Sequence, residues 1–264
     1  MASASRSDDP RIEQAFLQVH REDFMPPGPW RIVIGRVSVE TPSADPVYLC
    51  QNALVALDAD KGINNGEPVL HAAWLGAVDV RPGERICHIG AGTGYYTALL
   101  AHLTGPDGHV VAYEVEETLA RTAKVNLAAW PQVEVRHADA TGAALETADI
   151  VYVNAGVAVV PLTWLNALSE TGRLLFPWRP AESVGLALLV SRRGEGFAAK
   201  PLMPSWFIPC VGASDAADCR KTPTGEEAWA TRSVWPLSVR SPDETATAVY
   251  SDLWFSSTEI DEPG

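Results

Sequence analysis

The apolar positions change period repeatedly along the chain, and the changes mark alternating helices and short strands. Ile12, Ala15, Phe16 and Val19 recur at i, i+3, i+4 and i+7, the stripe of an amphipathic helix. Asp8 or Asp9 can cap it, with Pro10 at its first position. The helix is expected to stop before the run Phe24-Met25-Pro26-Pro27-Gly28-Pro29. From there to about Gly66 no period holds, and a loop-rich stretch is expected, with an apolar run from Tyr48 to Leu57. Asn64-Asn65-Gly66-Glu67 reads as a turn and helix cap. Pro68 then opens a second helix with Leu70, Ala73, Trp74 and Ala77 facing inward and His71 as a packing or surface residue.

The central pattern runs from Arg85 to Glu114. Arg85 to Ile89 read as a short buried strand, Gly90-Ala91-Gly92-Thr93-Gly94 as a tight turn, and Tyr96, Leu99, Leu100 and Leu103 as a helix. Gly105-Pro106-Asp107-Gly108 breaks that helix, and His109 to Tyr113 form a second strand ending at Glu114. Strand, glycine turn, helix and strand make one βαβ unit. A helix is then expected after Glu116 and Glu117, with Leu119, Ala120, Ala123 and Leu127 buried and Pro131 as its stop. Strands follow at Val133–His137, Ala148–Val153, Gly172–Phe176 (stopped by Pro177) and Val184–Ser191, with a helix at Pro161–Leu168. Arg193-Gly194-Glu195-Gly196 reads as a hairpin turn, and Thr247 to Ser257 as a late strand. The predicted class is α/β: a Rossmann-like, doubly wound, mostly parallel sheet with antiparallel late strands. Three parts are expected in one globular unit: a helical and loop cap over residues 1–75, the core over 76–212, and an extension over 213–264 packed on that core.

Ligands in such sheets sit outside the carboxyl ends of the strands, where Gly90, Glu114, Asp139 and Asn154 all fall. Glycines let a ligand approach the backbone closely, and the helix start offers unpaired N–H groups. Glu114 lies 20 residues beyond Gly94, close to the spacing of a carboxylate that reads ribose hydroxyls. A nucleoside site follows. The third glycine falls one place early for the dinucleotide pattern, because Tyr95 occupies that slot; this disfavours a dehydrogenase. G-x-G-x-G after a strand is the pattern of S-adenosylmethionine methyltransferases. Asp139 could accept from an adenine amino group while the Ala140 N–H donates to a ring nitrogen, or Asp139 could simply cap the next turn.

Composition narrows the partners. The 264 residues carry a net charge of −13, which argues against a nucleic-acid partner. Hydrophobic residues make up 47%, enough for a sizeable core. Cys50, Cys87, Cys210 and Cys219 form no C-x-x-C pair, so no metal site and a reducing, cytoplasmic setting are expected. The stretch MASASRSDDP reads as no signal peptide, and no apolar run reaches the ~18 residues of a membrane span, so no membrane partner is expected.

The chain resembles the protein-L-isoaspartate (D-aspartate) O-methyltransferase family. Ala15–Pro26 (AFLQVHREDFMP) is similar to that family's N-terminal helix and its arginine–acid–phenylalanine–proline run. Ile89–Leu99 (IGAGTGYYTAL) matches its cofactor loop, and Asn154–Pro177 its segment after the fourth strand, with Val160-Pro161 and Gly172-Arg173-Leu174. Phe207–Val211 (FIPCV) is similar to its late phenylalanine–proline strand. The resemblance covers about residues 10–212. It departs at two places. The family's loop before the second helix reads threonine–isoleucine–serine–x–proline, and alignment on Pro68 puts Gly66 where that serine stands. The family's acid two residues before the first glycine is His88 here.

The resemblance implies a class I fold binding S-adenosyl-L-methionine, with S-adenosyl-L-homocysteine as product. The expected cofactor residues are His88, Gly90, Ala91, Gly92, Thr93, Gly94, Tyr95, Glu114, Val115, Asp139, Ala140 and Asn154. Asn65, Gly66, Glu67, Asn154 and Ala155 are expected on the methyl-acceptor side. The acceptor is expected to be a carboxylate of a peptide or protein, isoaspartyl or a specific aspartyl as in extended relatives that modify peptide natural products. A carboxylate is ionised at neutral pH, so no catalytic base is expected; placement alone can supply about 7–11 kcal/mol. A small-molecule O- or N-methyltransferase would need a base, with His88 or His71 at hand. A degenerate module that binds cofactor without turnover is the remaining reading.

Overall fold

A computed structural model describes residues 7–35, 37–216 and 219–260. The chain sorts into two compact units. One holds the chain up to Arg85 together with Gly90–Ala138, and the other holds Ile86–Ile89 together with the chain from Asp139. No helix among the described residues is long and apolar enough to cross a membrane.

In the first unit, helix α1 spans Pro10–Gln18, and the Asp9 side chain accepts from the Arg11 N–H at its start. Ile12, Ala15 and Val19 are buried as the stripe predicts, while Phe16 is half-buried. The Arg11 guanidinium then ties the helix down through the carbonyls of Val80 and Leu103. The stretch expected as loop differs. It contains four short strands, β1 Arg31–Ile34, β2 Val37–Glu40, β3 Leu54–Asp58 and β4 Ile63–Asn65, in one antiparallel sheet of order β2-β1-β3-β4. Gly35, at φ +60°, allows the tight β1–β2 turn that pairs Ile34 with Val37. Trp30, Leu49 and Val55 give this region its own core, with Met25 against it.

Helix α2 spans Pro68–Val78, strand β5 Arg85–Ile89, helix α3 Tyr95–Thr104, strand β6 His109–Glu114, helix α4 Glu117–Asn126 and strand β7 Val133–His137. Ala73 and Trp74 of α2 are buried as expected, Leu70 and Ala77 are half-buried, and His71 is wholly buried. β6 and β7 pair in parallel from Val110↔Val133 to Glu114↔His137. α4 buries Leu119, Ala120 and Ala123 but ends at Asn126, short of Pro131, because Leu127 already closes its last turn.

In the second unit, Ile86–Ile89 of β5 run parallel to β8, Ala148–Val153, which is itself parallel to β9, Leu168–Ala181. Between them α5 is short, Leu162–Asn166. β9 passes through Pro177 instead of stopping there. Its register with β10, Val184–Arg193, continues past that residue, and the Pro177 carbonyl accepts from the Val157 N–H. Pairing on both sides overrides a local break signal that acts only by withholding one donor. β11, Gly196–Pro204, follows across the predicted two-residue turn, with Gly194 at φ +59°. β12, Ser233–Pro236, pairs with β11, and the expected late strand proves to be a hairpin of β13, Ala246–Val249, and β14, Leu253–Ser256. Phe255 stacks on Trp178 at 4.5 Å, and the Trp178 indole N–H donates to the Tyr250 hydroxyl. The tail thus completes a hydrophobic layer on β9.

Candidate functional site

The glycine turn follows β5 directly. Gly90, Gly92 and Gly94 all take positive φ, +81°, +58° and +98°. A side chain there would be strained, and at Gly94 a Cβ would also lie 2.8 Å from a Leu127 methyl. Thus Gly94 serves helix packing as well as the turn. The N–H groups of Gly90 and Ala91 both donate to the Tyr113 carbonyl, and the Gly94 N–H donates to the Ala91 carbonyl. The turn is therefore lashed to the end of β6.

Glu114 completes that link. Its Oε2 accepts from the Gly92 N–H at 2.6 Å and its Oε1 from the Glu116 N–H at 2.9 Å. The residue is only 6% exposed, and burial raises its pKa against the opposing pull of those N–H bonds. The Val115 N–H also bonds the carboxylate. The two oxygens have about four acceptor sites between them, so capacity for a further donor remains. The loop also holds an orphan: Thr93 Oγ1 is buried with no partner among the described residues. A buried hydroxyl without a partner is costly unless a ligand completes it. Both features fit a ribose and its flanking groups. Lys61 forms an ion pair with Glu116 beside this turn. Val115 is exposed, and its carbonyl bonds the His137 ring. The Tyr95 ring is core, 5.7 Å from Phe24 and 5.0 Å from Tyr96, and burial pushes its hydroxyl up to about 12.

On the loop before α2, Arg21 is the organising residue. It is buried and donates to the Asn65 side-chain oxygen at 2.8 Å and to the carbonyls of Ala53, Asn65 and Gly66. The Asn65 side chain is thereby committed to Arg21. Gly66 also receives the Tyr96 hydroxyl on its carbonyl at 3.0 Å. A Cβ on Gly66 would lie 2.5 Å from His71 Nε2, so the imidazole fills the space a serine would need. His71 is held there by a 3.5 Å stack on Tyr96. Glu67 stands at the N-cap of α2, half-buried, without capping through its side chain.

In the second unit, His88 is wholly buried on β5, and the Asn154 side-chain amide donates to its Nε2 at 3.0 Å. That bond leaves Asn154 Oδ1 buried and without a partner among the described residues. Burial holds the His88 pKa down at about 3. His88 is therefore neutral at physiological pH and an acceptor for Asn154, and no general base. Asp139 uses Oδ1 to receive the N–H and hydroxyl of Thr141, the turn-capping role, while the Ala140 carbonyl receives the Trp164 indole N–H. Ala155 is half-buried, next to Asn154.

A pH dependence follows from His88. The unfolded imidazole takes a proton near its ordinary value of 6.5, whereas the native ring resists until about 3. The unfolded state then binds more protons between these values, so stability falls as pH drops from about 6.5 toward 3. Melting temperatures of the wild type and His88→Asn, measured from pH 7 to pH 4, should show a shallower acid-side fall in the variant.

Comparison with known proteins decides the family. The family model described as protein-L-isoaspartate(D-aspartate) O-methyltransferase matches residues 3–215. The chain belongs to that family. The Thermotoga maritima protein-L-isoaspartate O-methyltransferase is 27% identical over 199 residues, covering 73% of this chain and 56% of the relative. The Methylorubrum populi enzyme of the same name is 32% identical over 154 residues, covering 57% of this chain and 71% of the relative. This chain thus spans little more than half of the first and about seven-tenths of the second. A solved protein-L-isoaspartate O-methyltransferase superposes with a TM-score of 0.65 at 25% identity, over 76% of this chain and 61% of that one. The Plasmodium falciparum protein described as a putative member, in complex with S-adenosyl-L-homocysteine, gives 0.62 at 17% identity, over 79% and 97%. The expected Rossmann-like α/β fold is therefore that of the family.

Some features of the site carry no signal that the pattern of residues reveals. Arg21 lies inside the arginine–acid–phenylalanine run, but nothing there shows that it would collect six carbonyl and amide acceptors. The filling of the space beside Gly66 by the His71 ring is half visible: glycine at 66 invites the question of what fills its space, and a lone histidine on an apolar helix face is the natural answer.

Proposed function

We propose that this chain is an S-adenosyl-L-methionine-dependent O-methyltransferase that esterifies a carboxylate of a peptide or protein. The single observation that carries the reading is Glu114: a buried carboxylate that already braces the glycine turn and still has acceptor capacity for a further donor. Gly90, Ala91, Gly92, Thr93 and Gly94 cradle the nucleoside, with Glu114 on the ribose hydroxyls and the Thr93 hydroxyl as a further partner. The backbones of Val115 and Tyr95 flank it. Asp139 Oδ2 and the Ala140 N–H take the adenine. Asn154 Oδ1, aimed by the bond to His88, faces the reacting end. Asn65, Gly66, Glu67 and Ala155 border the acceptor, Asn65 through its backbone.

S-adenosyl-L-methionine supplies the methyl group as an electrophilic substituent of its sulfonium. The protein has little else to contribute beyond binding, alignment and exclusion of water, because the acceptor carboxylate arrives ionised. The buried, neutral His88 suits that economy: it is not poised to remove a proton. Isoaspartyl and aspartyl carboxylates are both within this reading.

Transfer of labelled methyl from S-adenosyl-L-methionine to isoaspartyl and aspartyl peptides tests it. Base-labile, volatile label on at least one peptide class is expected, since methyl esters hydrolyse to methanol. Stable label on a phenol or an amine, with none on any carboxylate, would overturn the acceptor class.

A further inference from the structure

Arg179 on β9 is the one strong charge beside the Asn154–Gly156 segment that the scheme above leaves unused. Its backbone N–H donates to the Val157 carbonyl, and its stem passes close over Gly156, where a Cβ would lie 2.9 Å from Arg179 Cδ. Gly156 is needed to let the arginine through. The Gly156 N–H and carbonyl bond in turn to Ile208 and Cys210, so β9, the 154–157 segment and the 207–210 segment converge on this guanidinium. One terminal nitrogen, Nη1, donates to the Phe207 carbonyl at 2.5 Å. The Nε is buried with no partner, and Arg179 pairs with no acid among the described residues.

A half-buried guanidinium with an unused donor, in a chain of net charge −13, is an anion receptor awaiting its anion. In the chain segment flanking Phe207, Trp206, Ile208 and Val211 are exposed, at 59%, 36% and 56%. Exposed apolar side chains on the segment whose Phe207 carbonyl the cation holds suit a peptide carboxylate flanked by side chains better than a free inorganic anion. We propose that Arg179 is a specificity-determining residue that receives the acceptor carboxylate of the peptide through its Nε and the remaining Nη, and that it discriminates that carboxylate from the neutral methyl ester formed by transfer. This assignment rests on the carboxyl-methylation reading above. It adds a reason for turnover: esterification removes the negative charge that holds the peptide, so product leaves more readily than substrate.

The test is calorimetric and kinetic, on the full chain, with one synthetic acceptor peptide in its acid form and as its methyl ester, in the presence of S-adenosyl-L-homocysteine. Wild type is expected to bind the acid at least about tenfold more tightly than the ester. Arg179→Gln should erase most of that ratio and raise KM for the peptide, with kcat changed less and S-adenosyl-L-homocysteine affinity unchanged. Arg179→Lys, which keeps the charge but loses the planar fork, should retain part of the ratio. If Arg179 only braces the Phe207 carbonyl, both variants would lower the melting temperature and leave the acid-to-ester ratio as in wild type. Loss of S-adenosyl-L-homocysteine affinity with the ratio intact would instead place the cation on the cofactor's own carboxylate. Either result overturns the proposal while leaving carboxyl methylation standing. Binding of neither peptide form by any protein, with transfer only to non-carboxyl acceptors, would remove the underlying reading itself.

Discussion

Glutamine in place of Glu114 is expected to weaken S-adenosyl-L-homocysteine binding by roughly a hundredfold while the protein stays folded. The carboxylate does two jobs. It accepts N–H bonds from Gly92, Glu116 and Val115, and it keeps acceptor capacity for a ribose hydroxyl. A carboxamide has one oxygen. Its nitrogen would face either the Gly92 or the Glu116 N–H, donor against donor, and it could accept from only one hydroxyl. A hydrogen bond to a charged group contributes about 1.5–3 kcal/mol, so losing one, with the charge behind any that remains, reaches roughly a hundredfold. The change should also cost about 1–3 kcal/mol of stability through the unpaired donor. Circular dichroism and a melting curve separate that cost from the binding loss. A Kd within about threefold of wild type would contradict the assignment of Glu114.

The same residue sets an acid limit on binding. Burial raises its pKa, so the native carboxyl protonates at a higher pH than an exposed glutamate near 4.5. Its protonated form therefore favours folding at low pH, and that contribution declines as pH rises through the raised value. Ribose binding has the opposite sign, because it needs the ionised form. Wild-type affinity should fall as pH drops through this range, and Glu114→Gln should lack that component.

Serine at Gly66 is expected to destabilise this chain. A Cβ there meets His71 Nε2 at 2.5 Å and Cδ2 at 3.0 Å, and Tyr96 at 3.4 Å. His71 cannot yield cheaply: it is wholly buried, stacked on Tyr96 at 3.5 Å, with the Trp74 ring 5.3 Å away. The backbone cannot retreat without breaking the Arg21 and Tyr96 bonds to the Gly66 carbonyl. Overpacking of this kind costs about 1–3 kcal/mol, or roughly 2–10 °C in a chain of this size. Transfer to any peptide should fall with it. The double variant Gly66→Ser, His71→Ala makes room for the hydroxymethyl group, so its stability should exceed the sum of the two single effects. Strict additivity, or a Gly66→Ser protein that melts with wild type, would show that the imidazole does not hold that space.

The parts legible from the residues are those governed by local rules. The strand–glycine–helix–strand run and the strands at Val133–His137 and Ala148–Val153 emerge at the expected residues, because turn glycines and continuous apolar runs mark them. The antiparallel sheet before α2 does not declare itself. Its strands are three to five residues long, and β2 is exposed throughout, so no burial alternation marks it. Only Gly35 between two β-branched runs hints at the hairpin. β9 outruns Pro177 because β10 and Val157 pair with it, partners remote in sequence. Site residues divide the same way. Glu114 announces itself by spacing, whereas Arg21 and Arg179 matter through carbonyls 28 to 45 residues away in the chain. The Tyr95 ring packs on Phe24 and Tyr96, contacts that its place in the glycine run does not reveal.

The most direct measurement is a calorimetric titration of S-adenosyl-L-homocysteine into the wild-type protein at neutral pH, beside Glu114→Gln and with NAD as the control nucleotide. A saturable one-to-one isotherm for the wild type, strongly weakened in the variant and absent with NAD, is the predicted result. No heat and no change in melting temperature with S-adenosyl-L-homocysteine, or tighter binding of NAD, would contradict a nucleoside held across the glycine bend by Glu114.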